Sequence, residues 1–211
     1  MFRRLLILVL LLPLAMTTGA ATAPIPPDQQ VRQTTEQMQA LIREHHKEYK
    51  ANQPAFYKVV NEVLTPRFDV RYIAQLVLGK NWRSASAEQR DRFASAFKQM
   101  LIRSYADTLL EYYDSIKAEW QPVRLSPDVN DVTVRTTLLR DNAQPLGIGF
   151  NVHLVDNEWK VYDISVEAIS LVTNFRSQIN AEIKKSSLND VITRMEKGEA
   201  FTPPKSTVTS G

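Results

Sequence analysis

The chain has 211 residues, with 26 Lys or Arg against 23 Asp or Glu, no cysteine and only six glycines. Charges this nearly balanced argue against nucleic acid, whose binding depends on clustered basic side chains. The missing cysteines exclude disulfides, zinc–thiolate sites and thiol nucleophiles together, and so few glycines leave little material for a phosphate-binding loop.

Arg3 and Arg4 precede the apolar run Leu5 to Leu14, and small residues follow from Thr17 to Ala23. This order reads as a secretory signal peptide over residues 1–23, cleaved near Ala20 to Ala23; about ten apolar residues are too few to cross a bilayer. No cysteine follows the run, which excludes a bacterial lipoprotein anchor. The mature chain is then exported and soluble, and loss of Arg3 and Arg4 leaves 24 basic against 23 acidic side chains. A single domain over 24–198 has to be held by its core alone, and about 175 residues suffice for one core. From Gly198 onward, with Thr202-Pro203-Pro204, residues 199–211 read as a disordered tail.

In the first half of the chain the spacing predicts helices. Val31, Met38, Leu41, Ile42 and His45 share one side of a helix from Asp28 to Tyr49. Pro54 sits in the first turn of a second helix carrying Val59, Val60, Val63 and Leu64, which Thr65-Pro66 ends. Asp69 caps a third, Val70 to Leu78, stopped by Gly79. This short helix is apolar on more than one side, so it is either buried or borders a hollow. Ser86-Ala87-Glu88-Gln89 forms a capping box that opens a long helix to Tyr113, with Phe93, Phe97, Met100, Leu101, Tyr105 and Leu109 in three- and four-residue steps.

After Ser115 the period changes to two. Lys117 to Arg124 reads as a strand that Pro122 confines to a sheet edge or a bulge. Asp131 to Arg140 and Gly147 to Val155 alternate, the latter with Ile148, Phe150, Val152 and Leu154 inward. Asp156-Asn157 turns the chain into the strand Trp159 to Val166, which leads into a helix with Leu171, Phe175, Ile179 and Ile183 on one side. Ser187 caps a last helix with Leu188, Val191, Ile192 and Met195. The expected fold is α+β, with helices packed on one face of an antiparallel sheet of about four strands.

Little of this points to chemistry. His45 and His46 diverge on their helix and His153 takes the outer side of its strand, so no metal site is expected. Asp163 admits two readings. Held near the apolar side of the sheet it could act as a general base with a raised pKa. Otherwise it is a strand residue on the polar face, or it accepts from a backbone N–H at the strand-to-helix corner. No His, Tyr or Ser–His arrangement accompanies it. What remains is an excess of apolar surface on the third, long and C-terminal helices, facing an apolar sheet. A non-enzymatic carrier of something apolar is the expectation; a small exported α+β enzyme using the same pocket and an exported adaptor whose apolar stripes bind a partner helix are the alternatives.

Three stretches bear a resemblance. They are Leu64-Thr65-Pro66-Arg67-Phe68-Asp69, Leu76 to Arg83, and Ser86 to Arg90 with Phe93 and Phe97. Trp159 to Asp163, Val166 to Leu171 and Asn174-Phe175-Arg176 continue it in the same order. Over Gln30 to Glu196 the chain resembles the toluene-tolerance (MlaC) family of periplasmic phospholipid-binding proteins, departing at Ala168, where the family usually has Gly, and near Tyr113-Asp114-Ser115, where a Gly-containing turn is common. The resemblance implies an apolar pocket for acyl chains with the headgroup near solvent, and phospholipid as cargo with no cofactor. It implies passage between outer and inner membranes, and docking of a monomer to an inner-membrane MCE-domain complex and an outer-membrane lipoprotein–porin complex. The residues expected to hold lipid are Tyr72, Leu76, Phe97, Leu101, Tyr105 and Leu109 from the helices, and Val134, Leu138, Ile148, Phe150, Val152, Val161, Ile164 and Val166 from the strands. Ile169, Leu171 and Phe175 complete the set at the strand-to-helix corner.

Overall fold

The computed structural model describes residues 24–201, except 115, 127, 141, 142 and 200. The expected signal peptide and residues 202–211 of the expected tail lie outside the described residues. Glu199 pairs with Arg194 at 2.8 Å, and Phe201, 6 % exposed, lies 5.1 Å from the Arg194 guanidinium. Packing therefore continues past the domain boundary expected at Gly198.

Local chemistry sets most helix ends. Helix α1 (Pro27–Ala51) is kinked at His45, where φ is −113° and ψ 17°. Asn52 caps α2 (Gln53–Leu64), accepting from the Ala55 N–H at 3.2 Å, and a 3-10 turn follows at Thr65–Arg67. Asp69 caps α3 (Val70–Leu78), its Oδ1 accepting from the Tyr72 N–H at 2.9 Å. Gly79, with φ +55°, takes the left-handed backbone that glycine adopts without a Cβ clash. It separates α3 from α4 (Lys80–Ser84), a five-residue helix too short to show a sequence period. The Ser86–Gln89 capping box opens α5 (Ala87–Tyr112) as expected. Ser170 and Ser187 cap α6 (Leu171–Lys185) and α7 (Leu188–Glu196).

The sheet has five strands, each antiparallel to its neighbours in chain order: β1 (Ile116–Trp120), β2 (Asp131–Arg140), β3 (Leu146–Val155), β4 (Glu158–Val166) and β5 (Ile169–Ser170). The strand beyond the expected four is β5, a two-residue return after the turn at Glu167-Ala168. β1 ends at Trp120, short of the expected Arg124, because Pro122 has no N–H to continue the ladder. It lies at the sheet edge, as that proline required.

Register gathers the apolar residues onto one face. Val134 lies opposite Phe150 and Phe150 opposite Ile164; Thr136 lies opposite Ile148 and Ile148 opposite Val166. A bulge keeps the pattern in step. Asn151 pairs with Asp163 but Val152 pairs with Val161, so Tyr162 is the extra residue. Without it, Val161 and Ile164 would face opposite sides, since side chains alternate along a strand. Tyr162 is turned to the polar face, where its hydroxyl donates to Asp131 at 3.0 Å.

The Leu64–Asp69 segment covers the edge of β4 that β5 leaves open. Phe68 makes a parallel bridge with Val161, the Asp69 N–H donates to the Val161 carbonyl at 3.0 Å, and Lys160 Nζ donates to the Pro66 carbonyl at 2.8 Å. Such cover removes a template for unwanted strand pairing. It also brings the start of α3 round to the polar face, where Asp69 meets His153 at 3.1 Å. Helical contacts are thus not confined to one face at this edge.

Candidate functional site

The core divides into three apolar clusters. The first joins α3, α5, α6 and α7 through residues such as Val77, Phe93, Phe97, Phe175 and Ile192. The second joins α1, α2 and α5 through Met38, Ile42, Phe56, Val60, Ile102 and Leu110. The third seats Val31 of α1 on Val134, Val152, Trp159 and Val161 of the sheet.

The clusters are linked in a ring. Helix α1 contributes to the second and third, α5 to the first and second, and Phe68 packs against both the first and the third. The helices packed closely on the sheet are α1, α3 and α6, while α5 packs on α1, α2, α3 and α7 and makes no comparable approach to any strand.

Half-buried apolar side chains border the clusters. Leu101, Tyr105, Leu171 and Leu76 lie against the first, Leu109 against the second, and Phe150 and Ile164 against the third. Leu138 and Val166 are half-buried on the same sheet face. Other residues expected here stand differently. Phe97 and Phe175, each 2 % exposed, meet edge to face at 5.2 Å inside the helical cluster. Val134 and Val152 are fully buried and Val161 nearly so, packed with Val31 of α1 and with Trp159, and Ile148 is nearly buried as well. Tyr72 is turned to the polar face by its helix start and stacks on His153 at 5.0 Å. Ile169 is 60 % exposed, carried off the sheet by the turn whose residues Glu167 and Ala168 have φ of 49° and 63°.

Sequence reasoning passed over Val59, Val63 and Leu64 of α2, half-buried at the second cluster, and Phe68 between the first and third. A signal existed. The doublets Val59-Val60 and Val63-Leu64 widen the apolar arc of α2 beyond what Phe56 and Val60 use to contact α1 and α5.

The polar groups have mainly structural partners. Asp163 Oδ1 accepts from the Val172 N–H at 3.1 Å and so fixes the start of α6, one of the structural roles expected of it. His153 pairs with Asp69, a contact that neither position suggests alone. His45 and His46 instead meet Tyr49 and Tyr113 in tilted ring contacts at 5.5 and 5.2 Å. Tyr105 differs: burial pushes its phenol pKa up. No described helix is long and apolar enough to cross a membrane.

Comparison with known proteins agrees with this architecture. The chain is 28 % identical to toluene tolerance protein ttg2D of Pseudomonas putida over 194 residues, covering 90 % of this chain and 85 % of that protein. It is 24 % identical to the intermembrane phospholipid transport system binding protein MlaC of Haemophilus influenzae, covering 90 % of each. A phospholipid-binding protein of Ralstonia solanacearum, solved in complex with a phospholipid, shares the fold with a TM-score of 0.74 and 25 % identity over 83 % of this chain and 97 % of that one. Residues 32–197 match the MlaC protein family across the whole α+β unit, and the chain belongs to that family.

Proposed function

We propose that the protein is a periplasmic phospholipid carrier that takes acyl chains into the middle of the ring of clusters and exchanges lipid between the outer and inner membranes. The observation that carries the reading is the divided core, on a fold shared with a protein solved with phospholipid bound. A domain of this size usually has one contiguous core with smaller satellites; here three clusters are arranged around a ring. Here Leu101, Tyr105 and Leu109 of α5, Val59, Val63 and Leu64 of α2, and Phe150, Ile164, Leu138 and Val166 of the sheet form the lining, with Phe68, Leu76 and Leu171 at its borders. The closed valines of the sheet and the Phe97–Phe175 pair form the rigid wall behind it.

Energetics require such a lining. Two acyl chains carry roughly thirty methylenes, and at about 0.8 kcal/mol each their exposure to water costs on the order of 20 kcal/mol or more. A carrier has to offset nearly all of that while staying level with a bilayer, so that its partners set the direction. An inner-membrane MCE-domain complex and an outer-membrane lipoprotein–porin complex are the partners in this reading. The ion pairs and capped carboxylates described above hold the fold together and form no convergent catalytic set, which favours carriage over catalysis.

The test is purification from a periplasmic extract without detergent, followed by solvent extraction and mass spectrometry. The expected result is about one phospholipid per chain. A folded protein that arrives without lipid and takes none from vesicles overturns the proposal.

A further inference from the structure

We propose that Tyr105 donates a hydrogen bond from its phenol to an ester carbonyl of the bound lipid, setting the depth of the acyl chains and favouring ester-linked over ether-linked cargo. The inference rests on the carrier reading and adds a polar contact to a lining that is otherwise apolar.

Three observations carry it. Tyr105 lies on α5 between Leu101 and Leu109, on the border of the helical cluster, and keeps part of its surface accessible. Its hydroxyl has no hydrogen-bond partner among the described residues, whereas the Tyr57 and Tyr162 hydroxyls donate to Asp107 and Asp131. Burial raises its pKa, while carboxylates also contribute to the raised pKa of Tyr49, Tyr57 and Tyr162. The phenol is therefore half-buried, with its hydroxyl open to the space beside α5.

A phenol on an apolar lining that meets no protein acceptor takes one from whatever fills the space beside it. The neighbouring Leu101, Ile102, Ala106 and Leu109 side chains offer none. Acyl chains offer none either, but the ester carbonyl at the head of each chain does. A phosphate oxygen fits less well, because taking its charge into an apolar lining calls for a cation to pair with it. An ester carbonyl is neutral and lies where the chains begin, so its acceptor sits at the boundary between an apolar lining and a headgroup near solvent.

The experiment loads delipidated wild type and Tyr105→Phe from vesicles containing equal amounts of a phosphatidylethanolamine and its diether counterpart with the same chains. Loaded lipid is then measured by mass spectrometry. One net hydrogen bond predicts that wild type enriches the ester lipid about three- to ten-fold and that Tyr105→Phe takes the two nearly equally. Equal ratios in the two proteins overturn the proposal even when both load lipid well. A wild type without ester preference does the same, and needs no variant to fold. If neither protein takes up either lipid, the carrier reading falls and this inference falls with it. The melting temperature of delipidated Tyr105→Phe is expected to match or exceed that of wild type, since the substitution removes an unpartnered polar atom.

Discussion

Ala168 shows how one side chain can work against an otherwise consistent turn. It has φ +63°, and Glu167 before it has φ +49°, so the β4–β5 turn places two L-residues in the left-handed region. That conformation costs a non-glycine residue about 1–2 kcal/mol, whereas glycine forfeits about 0.5–1 kcal/mol in unfolded-state freedom. The first term is larger, so Ala168→Gly is expected to stabilise the protein by a few tenths to about 1 kcal/mol. For a chain of this size that raises the melting temperature by up to about 2–4 °C. Glu167→Gly should not do the same. The Glu167 carboxylate accepts from the Gly147 N–H at 2.5 Å and ties the turn to the start of β3, so losing it offsets the relief. Thermal melts of the two variants separate the effects; a gain for Glu167→Gly with none for Ala168→Gly would show that strain lies elsewhere in the turn.

Among the elements, the Leu64–Asp69 segment joins the helical half of the chain to the sheet, and Asp69 is its densest point. Its side chain caps α3, its N–H pairs with Val161, and its second carboxylate oxygen meets His153. Asp69→Ala is expected to cost about 1–2 kcal/mol in urea unfolding through the lost cap, while Asp69→Asn, an equally good cap, keeps most of it. Equal losses in both variants would assign the stability to the His153 pair instead. This segment also shows what a sequence can disclose. The cap at Asp69 and the stop at Gly79 follow from local chemistry, so the bounds of α3 are readable from residues alone. The alternation of β2 and β3 is equally plain. The bulge at Tyr162 is not, because it depends on how β4 pairs with Asn151 and Val152, nor is the role of Phe68, which is set by an edge that only the assembled sheet leaves open.

At the scale of the whole molecule, the candidate site is harder to read than the fold, because one residue type serves both a closed core and an open lining. Phe150 and Val152 alternate identically along β3, yet Val152 is 0 % exposed beneath α1 and Phe150 is half-buried on the ring. Only the arrangement of three clusters separates them, and it predicts opposite responses to the same insertion. Leu101→Trp adds volume on the α5 side of the ring, where Leu101 is half-buried. Lipid loading is expected to fall, while the delipidated protein keeps or gains melting temperature because the indole covers apolar surface left bare without cargo. Val152→Trp drives the same ring into packing shared with Val31, Val134 and Trp159. Overpacking of that kind costs about 1–3 kcal/mol, so its melting temperature is expected to fall by several degrees. Melting of delipidated protein and phospholipid content after vesicle loading, measured on both variants, decide the matter. If both melt lower by similar amounts while whatever remains folded loads lipid normally, then Leu101 is as tightly packed as Val152, and the acyl chains lie outside the ring.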